Sequence, residues 1–261
     1  MKTALLISTY NWPEALNLIF LSLKKQTALP DEILIADDGS RNETGSLIDQ
    51  FRTEISVPVK HVWHEDKGFR KSQILNKAIA AADADYIIQI DGDCIMHAHF
   101  VEDHLKNAAE NVYLYGTRVA VPLKSVPEVI GKQIISFGFF SPLIKKRTRL
   151  LRIPLLSKLY KKHPSYSTKM RGCNWSFWRN DFMAVNGYNE DFEGWGKEDS
   201  DLAIRLINNG LCSRRLRYAG IVFHIDHLSA SKDNLERNRK MQENTVVNRL
   251  IRSRNGVDKY L

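Results

Sequence analysis

Tyr86-Ile-Ile-Gln-Ile-Asp91-Gly-Asp93 is an apolar run that stops at two acids with a glycine between them. A short stretch that is apolar at nearly every position reads as a strand buried on both faces, the kind found in parallel sheets covered by helices. The chain before it repeats the theme. Thr3–Ser8, Glu32–Ala36 and Val57–Trp63 are predicted strands. Between them lie a helix opened by Asn11 with Pro13 and Glu14 in a capping-box pattern, a polar helix ending near Thr53, and a helix over Phe69–Ala82. The first helix carries Leu16, Ile19, Phe20 and Leu23 on one face.

Strand and helix alternating through short connections imply right-handed parallel crossovers and a doubly wound α/β sheet. Ligands of such sheets bind beyond the carboxyl ends of the strands. Three predicted strands end in polar clusters, Ser8–Asn11, Asp37–Ser40 and Asp91–Asp93, and these should converge on one edge. The second half is less regular. It is expected to hold a helix over Ala98–Glu110, a strand over Val112–Val121, a β segment over Cys173–Trp178, a helix over Ser200–Asn209 and a strand over Leu216–His224. From Ser231 onward one long exposed helix is expected.

The 261 residues carry a net charge of +8, and its placement matters more than its size. Val129–Asn180 holds twelve Lys and Arg and no Asp or Glu, which leaves the rest of the chain acidic. Such a segment points to an anionic partner. Because the basicity is confined to one segment, nucleic acid is disfavoured. Lys145, Lys146, Arg147, Arg149 and Arg152 precede Leu155, Leu156 and Leu159, with Lys158, Lys161 and Lys162 interleaved. This partly amphipathic stretch is read as docking on an anionic membrane surface or on a phosphorylated lipid-linked acceptor. Cys94, Cys173 and Cys212 form neither a disulfide framework nor a zinc-site spacing and are read as reduced thiols. No signal-peptide pattern opens the chain, and no run reaches the roughly 20 apolar residues of a membrane span. A cytoplasmic protein, peripheral at most to the inner face of a membrane, is expected.

Neither G-x-G-x-x-G after the first strand nor a P-loop is present, so phosphates must be held by a metal and by scattered basic groups. Asp91 and Asp93 supply the hard oxygen ligands a divalent cation wants, and their place after a buried strand favours that role over a mere polar turn. His224 ends a predicted strand with His227 three residues on, and either could complete a site with Asp93. Asp37 and Asp38 could accept hydrogen bonds from a base or ribose. In Phe192-Glu-Gly-Trp195-Gly-Lys-Glu198-Asp199-Ser-Asp201, two glycines flank an aromatic plate of the kind sugars stack on, and Glu198 and Asp199 open a helix.

Taken in order, these residues resemble glycosyltransferase family 2. The resemblance rests on Ile7-Ser-Thr-Tyr-Asn11, Ile35-Ala-Asp-Asp-Gly-Ser40, Gly68-Phe-Arg-Lys-Ser-Gln-Ile-Leu-Asn76 and Ile90-Asp-Gly-Asp93 on the donor side. On the acceptor side it rests on Asn174-Trp-Ser-Phe-Trp178, Val185-Asn-Gly-Tyr188 and Gly194-Trp-Gly-Lys-Glu-Asp199. That last block also resembles β-1,4-galactosyltransferases and bacterial chondroitin polymerases.

The resemblance implies a GT-A fold with a doubly wound mixed central sheet flanked by helices. A single catalytic domain would span 1–228, with a nucleotide-sugar half at 1–97 and an acceptor half at 98–228 that carries a basic insertion at about 129–171. Residues 229–261 would form a charged helical extension. An inverting transfer of a hexose or N-acetylhexosamine from a UDP-sugar to a glycan or lipid-linked glycan is implied, in bacterial surface polysaccharide or lipopolysaccharide synthesis. Ser8 and Tyr10 would line the nucleotide, Asp38 the uracil or ribose, and Arg70 and Lys71 the diphosphate. Asp91 would contact ribose or metal. Asp93 with His224 or His227 would hold Mn²⁺ or Mg²⁺. Trp195 would contact sugar, Asp199 would be the general base, and Glu198 would hold an acceptor hydroxyl. A nucleotidyltransferase and an inactive sugar-binding protein are the alternatives.

Overall fold

The computed structural model describes residues 1–228 and 231–261. Its seven-stranded sheet has the order β3-β2-β1-β4-β8-β6-β9. Here β1 is Thr3–Thr9, β2 Glu32–Asp37, β3 Val59–Trp63 and β4 Tyr86–Asp91, all parallel. After a short β5 (Cys94–Met96) come β6 (Val112–Tyr115), β7 (Thr117–Val121), β8 (Asn174–Trp178), β9 (Cys212–Arg215) and β10 (Ile221–Ile225). The sheet is mixed because β8 runs antiparallel to both β4 and β6. A second, three-stranded sheet has the order β5-β10-β7.

Period-two alternation in β1 explains the two-sided core. Leu5 and Ile7 face one cluster, with Leu16, Ile19 and Phe20 of α1 (Pro13–Leu23). Ala4 and Leu6 face the other, with Ile74, Leu75, Ala78 and Ile79 of Lys71–Ala80 and with Trp175, Phe177 and Phe182. Helix α2 spans Asn42–Glu54, so Lys71–Ala80 is α3. Further helices are α4 (Phe100–Asn107), α5 (Val126–Gly131), α6 (Pro154–Ser157), α7 (Arg179–Ala184), α8 (Glu198–Asn208) and α9 (Leu235–Val247).

Several sequence expectations need correction. The capping box at Asn11 does not form: the residue before α1 is Trp12, which makes no side-chain cap, and the Asn11 Oδ1 accepts from the Arg41 N–H instead. The strand expected over Val112–Val121 is two strands in two different sheets. The strand expected over Leu216–His224 begins only at Ile221, and β9 precedes it. The C-terminal segment is not one long exposed helix. After α9 it returns to the body, where Val257 is 1% exposed among α3 and α7 residues. Among the described residues no helix is long and apolar enough to cross a membrane.

Candidate active site

The parallel register brings strand ends together. Ser8 pairs with Asp91 and Thr9 with Asp37. Antiparallel pairing of β10 with β5 sets His224 opposite Cys94, which places it beside Asp93. The three polar clusters therefore meet, and the edge they form is one wall of a cleft of about 830 Å³. Ser8, Tyr10, Asp38, Lys71, Asp91, Asp93, Trp195, Glu198, Asp199, His224 and His227 all line it.

Arg70 does not. Its guanidinium Nη1 donates to Gln73 at 2.8 Å and Nη2 donates to the Glu65 carbonyl, while its backbone N–H donates to Asp38 at 2.9 Å. The Arg70 side chain is thus turned away from the cleft, and Lys71 faces it together with Arg118, Arg171 and Lys197.

On the donor wall, the Ser8 hydroxyl donates to Asp91 at 2.8 Å and the Lys71 ammonium donates to the same Oδ1 at 2.7 Å. Lys71 opens α3, where the helix dipole disfavours a cation. Burial too would strip its proton. The carboxylates of Asp91, Asp199 and Glu198 reverse that and hold the ammonium well above its usual range. Both Asp38 oxygens accept hydrogen bonds, one from the Arg70 N–H and the other shared with His64 Nε2 at 2.7 Å. Burial pushes the Asp38 carboxyl up and the His64 imidazolium down. Tyr10, half exposed, donates to Asp66 at 2.8 Å and offers its ring to the cleft.

Asp93 sits with both histidines. Its Oδ2 lies 3.1 Å from His227 Nε2 and 3.4 Å from His224 Nε2. One ligand atom from each of the three lies within 4.8 Å of the others. This donor set fits a divalent first-row ion. Two imidazoles and one carboxylate favour Mn²⁺ over Mg²⁺, which prefers an all-oxygen shell.

On the opposite wall, Asp199 is anchored rather than exposed. Its Oδ2 accepts from the Gly172 N–H at 3.1 Å and its Oδ1 from the Tyr188 hydroxyl at 3.2 Å. A Cβ on residue 172 would stand 2.1 Å from that carboxylate, so only glycine permits the approach. Burial raises the Asp199 carboxyl, the Asp91 charge adds to the rise, and Lys71 opposes it. Burial likewise pushes Glu198 from 4.5 up to about 7, helped by the Asp199 charge and opposed by Lys71, and Glu198 Oε2 has no hydrogen-bond partner among the described residues.

A carboxyl raised on folding costs stability when ionised, and the cost disappears as pH falls through its folded value toward its unfolded one. Glu198→Gln, which mimics the protonated form, is therefore expected to raise the Tm of the ligand-free protein by several degrees at pH 8. The shift from 4.5 to about 7 corresponds to roughly 3 kcal/mol. At pH 4 wild type and variant should melt together, and a gain that ignores pH would contradict this account of Glu198.

Trp195 is 42% exposed on a loop in which Gly194 and Gly196 take left-handed φ values of 70° and 104°. Sequence reasoning missed what holds this loop. Asn238 of α9, fully buried, donates to the carbonyls of Glu193 at 3.1 Å and Gly196 at 3.0 Å. It also missed Tyr188 as a support for Asp199, and Arg118, Arg171, Tyr166 and Gln242 as lining residues. Tyr188 lay in a quoted motif. Asn238 lay in a polar run whose pattern carries no signal of burial.

Comparison with known proteins identifies the family. Residues 4–174 match the family model described as glycosyl transferase family 2, and residues 154–228 match one described as the N-terminal domain of galactosyltransferase. The validoxylamine A glucosyltransferase of Streptomyces hygroscopicus subsp. limoneus is 26% identical over 225 residues, 80% of this chain and 48% of that one. The chondroitin synthase of Escherichia coli is 22% identical over 249 residues, 85% of this chain and 34% of that one. The chain thus spans about half the length, or less, of these curated relatives. S. aureus TarS 1–349, solved in complex with UDP-GlcNAc, superposes with a TM-score of 0.66 at 14% identity, covering 95% of this chain and 67% of that one. That likeness establishes a shared fold.

Proposed function

Because the chain belongs to glycosyl transferase family 2, we propose that its cleft transfers a sugar from a UDP-linked donor to a glycan acceptor with inversion at the anomeric carbon. The observation that carries this reading is the position of Asp199. It is a partly buried, doubly hydrogen-bonded carboxylate with a raised proton affinity, and it shares one cleft with Asp91 and Lys71.

The chemistry assigned to the residues is a single displacement. The acceptor hydroxyl oxygen bonds to the anomeric carbon as the bond from that carbon to the diphosphate oxygen breaks. The hydroxyl proton passes to Asp199 and the electron pair leaves with UDP. Lys71 places a permanent positive charge where negative charge grows on the leaving group, and Asp91 and Ser8 hold Lys71 and the ribose side of the donor. Tyr10 and Asp38 border the base, and Trp195 covers the sugar. Glu198, partly protonated near neutrality, holds a second acceptor hydroxyl. A divalent cation held by Asp93, His224 and His227 supplies further positive charge to the diphosphate when bound. UDP is preferred over other nucleotides because S. aureus TarS was solved with UDP and with UDP-GlcNAc. Curated relatives include a chondroitin synthase and an O-antigen chain rhamnosyltransferase of Salmonella typhimurium, which supports an acceptor among bacterial surface glycans.

A panel of UDP-, GDP-, dTDP- and CMP-sugars with Mn²⁺ tests the donor. One or more UDP-sugars should raise Tm and release UDP slowly by hydrolysis, and the other nucleotides should do so weakly or not at all. If no nucleotide sugar raises Tm in the presence of Mn²⁺, the transferase reading fails.

A further inference from the structure

Six cations gather around β7, where the cleft passes the Asp93 site. Arg118 of β7 and Arg171, the neighbour of Gly172, line the cleft itself. The Arg149 guanidinium donates to the Arg118 carbonyl at 3.0 Å, which fixes it over the same strand. An antiparallel bridge between Ala120 and Lys145 brings Lys146 alongside. From the β9 end, Arg217 donates to the Thr148 carbonyl at 2.8 Å and lies over the Tyr218 ring at 4.3 Å, and Arg215 is two residues before it. These residues come from four separate places in the chain, so the cluster is a product of the fold rather than of the basic segment alone.

Among the described residues none of the six forms an ion pair with a carboxylate, whereas Lys60, Lys71, Arg152 and Arg205 do. Arg215 Nε and Arg217 Nη1 are buried N–H groups that meet no acceptor. A buried unsatisfied donor is costly, and guanidinium donors suit phosphate or carboxylate oxygens. Burial first, and then repulsion from Arg215, Arg118, Arg217 and Arg171, holds the Arg149 guanidinium below its usual range. Lys146 is lowered in the same way, with only Asp226 opposing. Lys146 and Arg149 are therefore destabilised by their cationic neighbours until an anion arrives, while against burial Cys173, Cys94 and Asp93 hold the Arg118 guanidinium above its usual range. In the transferase reading the donor diphosphate is served by Lys71 and by the Asp93 site, which Arg118 borders.

We propose that the acceptor arm of the cleft, built from Arg118, Lys146, Arg149, Arg171, Arg215 and Arg217, binds an anionic glycan. Its phosphate or carboxylate groups would lie beside the sugar whose hydroxyl faces Asp199. This rests on the transferase reading for the term "acceptor", but the anion selectivity is measurable by itself.

The test uses three labelled oligosaccharides of equal length, one neutral, one bearing sugar phosphates and one built of uronic acids. Binding to the full chain with UDP and Mn²⁺ is followed by anisotropy at low and high salt, and UDP binding is read separately by thermal shift. At least one anionic oligosaccharide should bind about tenfold tighter than the neutral one at low salt and lose that margin at high salt. The phosphate and uronate arms separate the two sources of charge. Arg149→Gln with Arg217→Gln should abolish the margin while leaving the UDP shift unchanged, and the paired Lys variants should keep part of it.

Equal affinity for all three sugars by wild type overturns the proposal without need of any variant, and leaves the transferase reading standing if UDP still binds. Loss of UDP binding with anion preference intact would do the reverse. Charge-dependent binding to phosphatidylglycerol vesicles, with none to the oligosaccharides, would make the cluster a membrane-docking face and would also overturn it.

Discussion

Asp199→Asn is expected to lower the rate of sugar transfer by roughly 10²–10⁴-fold, the usual contribution of a positioned general base, while donor affinity stays near wild type. The substitution is close to isosteric. The amide oxygen can still accept from the Gly172 N–H, now 3.1 Å from Oδ2, so the local fold is kept. What disappears is a group able to take a proton. Lys71 retains its hydrogen bond to Asp91 at 2.7 Å, so the cation on the donor wall is undisturbed. The variant should therefore give the same thermal shift with UDP and Mn²⁺ as the wild type. It should also fold at least as well, because ionised Asp199 is a partly desolvated charge whose carboxyl is already raised by that desolvation. The measurement is kcat under saturating donor, alongside the UDP shift. Near-normal kcat would remove Asp199 from the base role. A joint loss of kcat and UDP shift would mean that the residue holds the cleft together instead.

The donor wall could be read from the chain because parallel strands buried on both faces leave a compositional trace. All seven residues of β1 and all six of β2 are buried, and each strand ends abruptly in polar residues. The rule that ligands sit at strand carboxyl ends then turns three distant motifs into one site. The acceptor wall left less trace, because its geometry depends on contacts remote in sequence. Gly116 divides what looked like a single strand. A Cβ there would meet the Asn174 amide at 2.2 Å and the Gly220 carbonyl at 2.3 Å, and neither neighbour can be inferred from residues 112–121. Two histidines near Asp93 could be suspected, but only the register of β10 against β5 and β7 brings both within reach. The orientation of Arg70 was not legible for a related reason. One position before α3, a side chain and its backbone N–H point different ways, and here the backbone serves Asp38 while the guanidinium turns to Glu65 and Gln73. The basic run was plain in the sequence. That Arg215 and Arg217 join it from another strand was not.

Replacing Asp93 by Asn is expected to abolish any rise in Tm produced by Mn²⁺ and to cut transfer by more than about 10²-fold, since changing a residue that merely orients a ligand already costs 10–100-fold. The Asp93 carboxylate is the one anion of its three-residue set. It also accepts from Cys94 Sγ at 3.2 Å, which fixes its direction. Without its charge, two imidazoles remain as neutral donors and the pull on a hard cation is largely gone. A second consequence concerns pH. The hydrogen bond to Asp93 lifts His227 to about 9, whereas burial pushes His224 down. At neutral pH the metal-free site therefore carries a proton on His227, and that proton must leave before the imidazole can bind a cation. Mn²⁺ affinity should rise about tenfold per pH unit from about pH 6 to 8, the signature of one displaced proton. His227→Ala should flatten that slope while leaving weaker binding through Asp93 and His224. Titration of Mn²⁺ by calorimetry in two buffers of different ionisation enthalpy reads the released proton directly. If the wild type binds Mn²⁺ with no proton release at pH 7, His227 is not a ligand. If Asp93→Asn binds the ion as tightly as the wild type, the metal lies elsewhere.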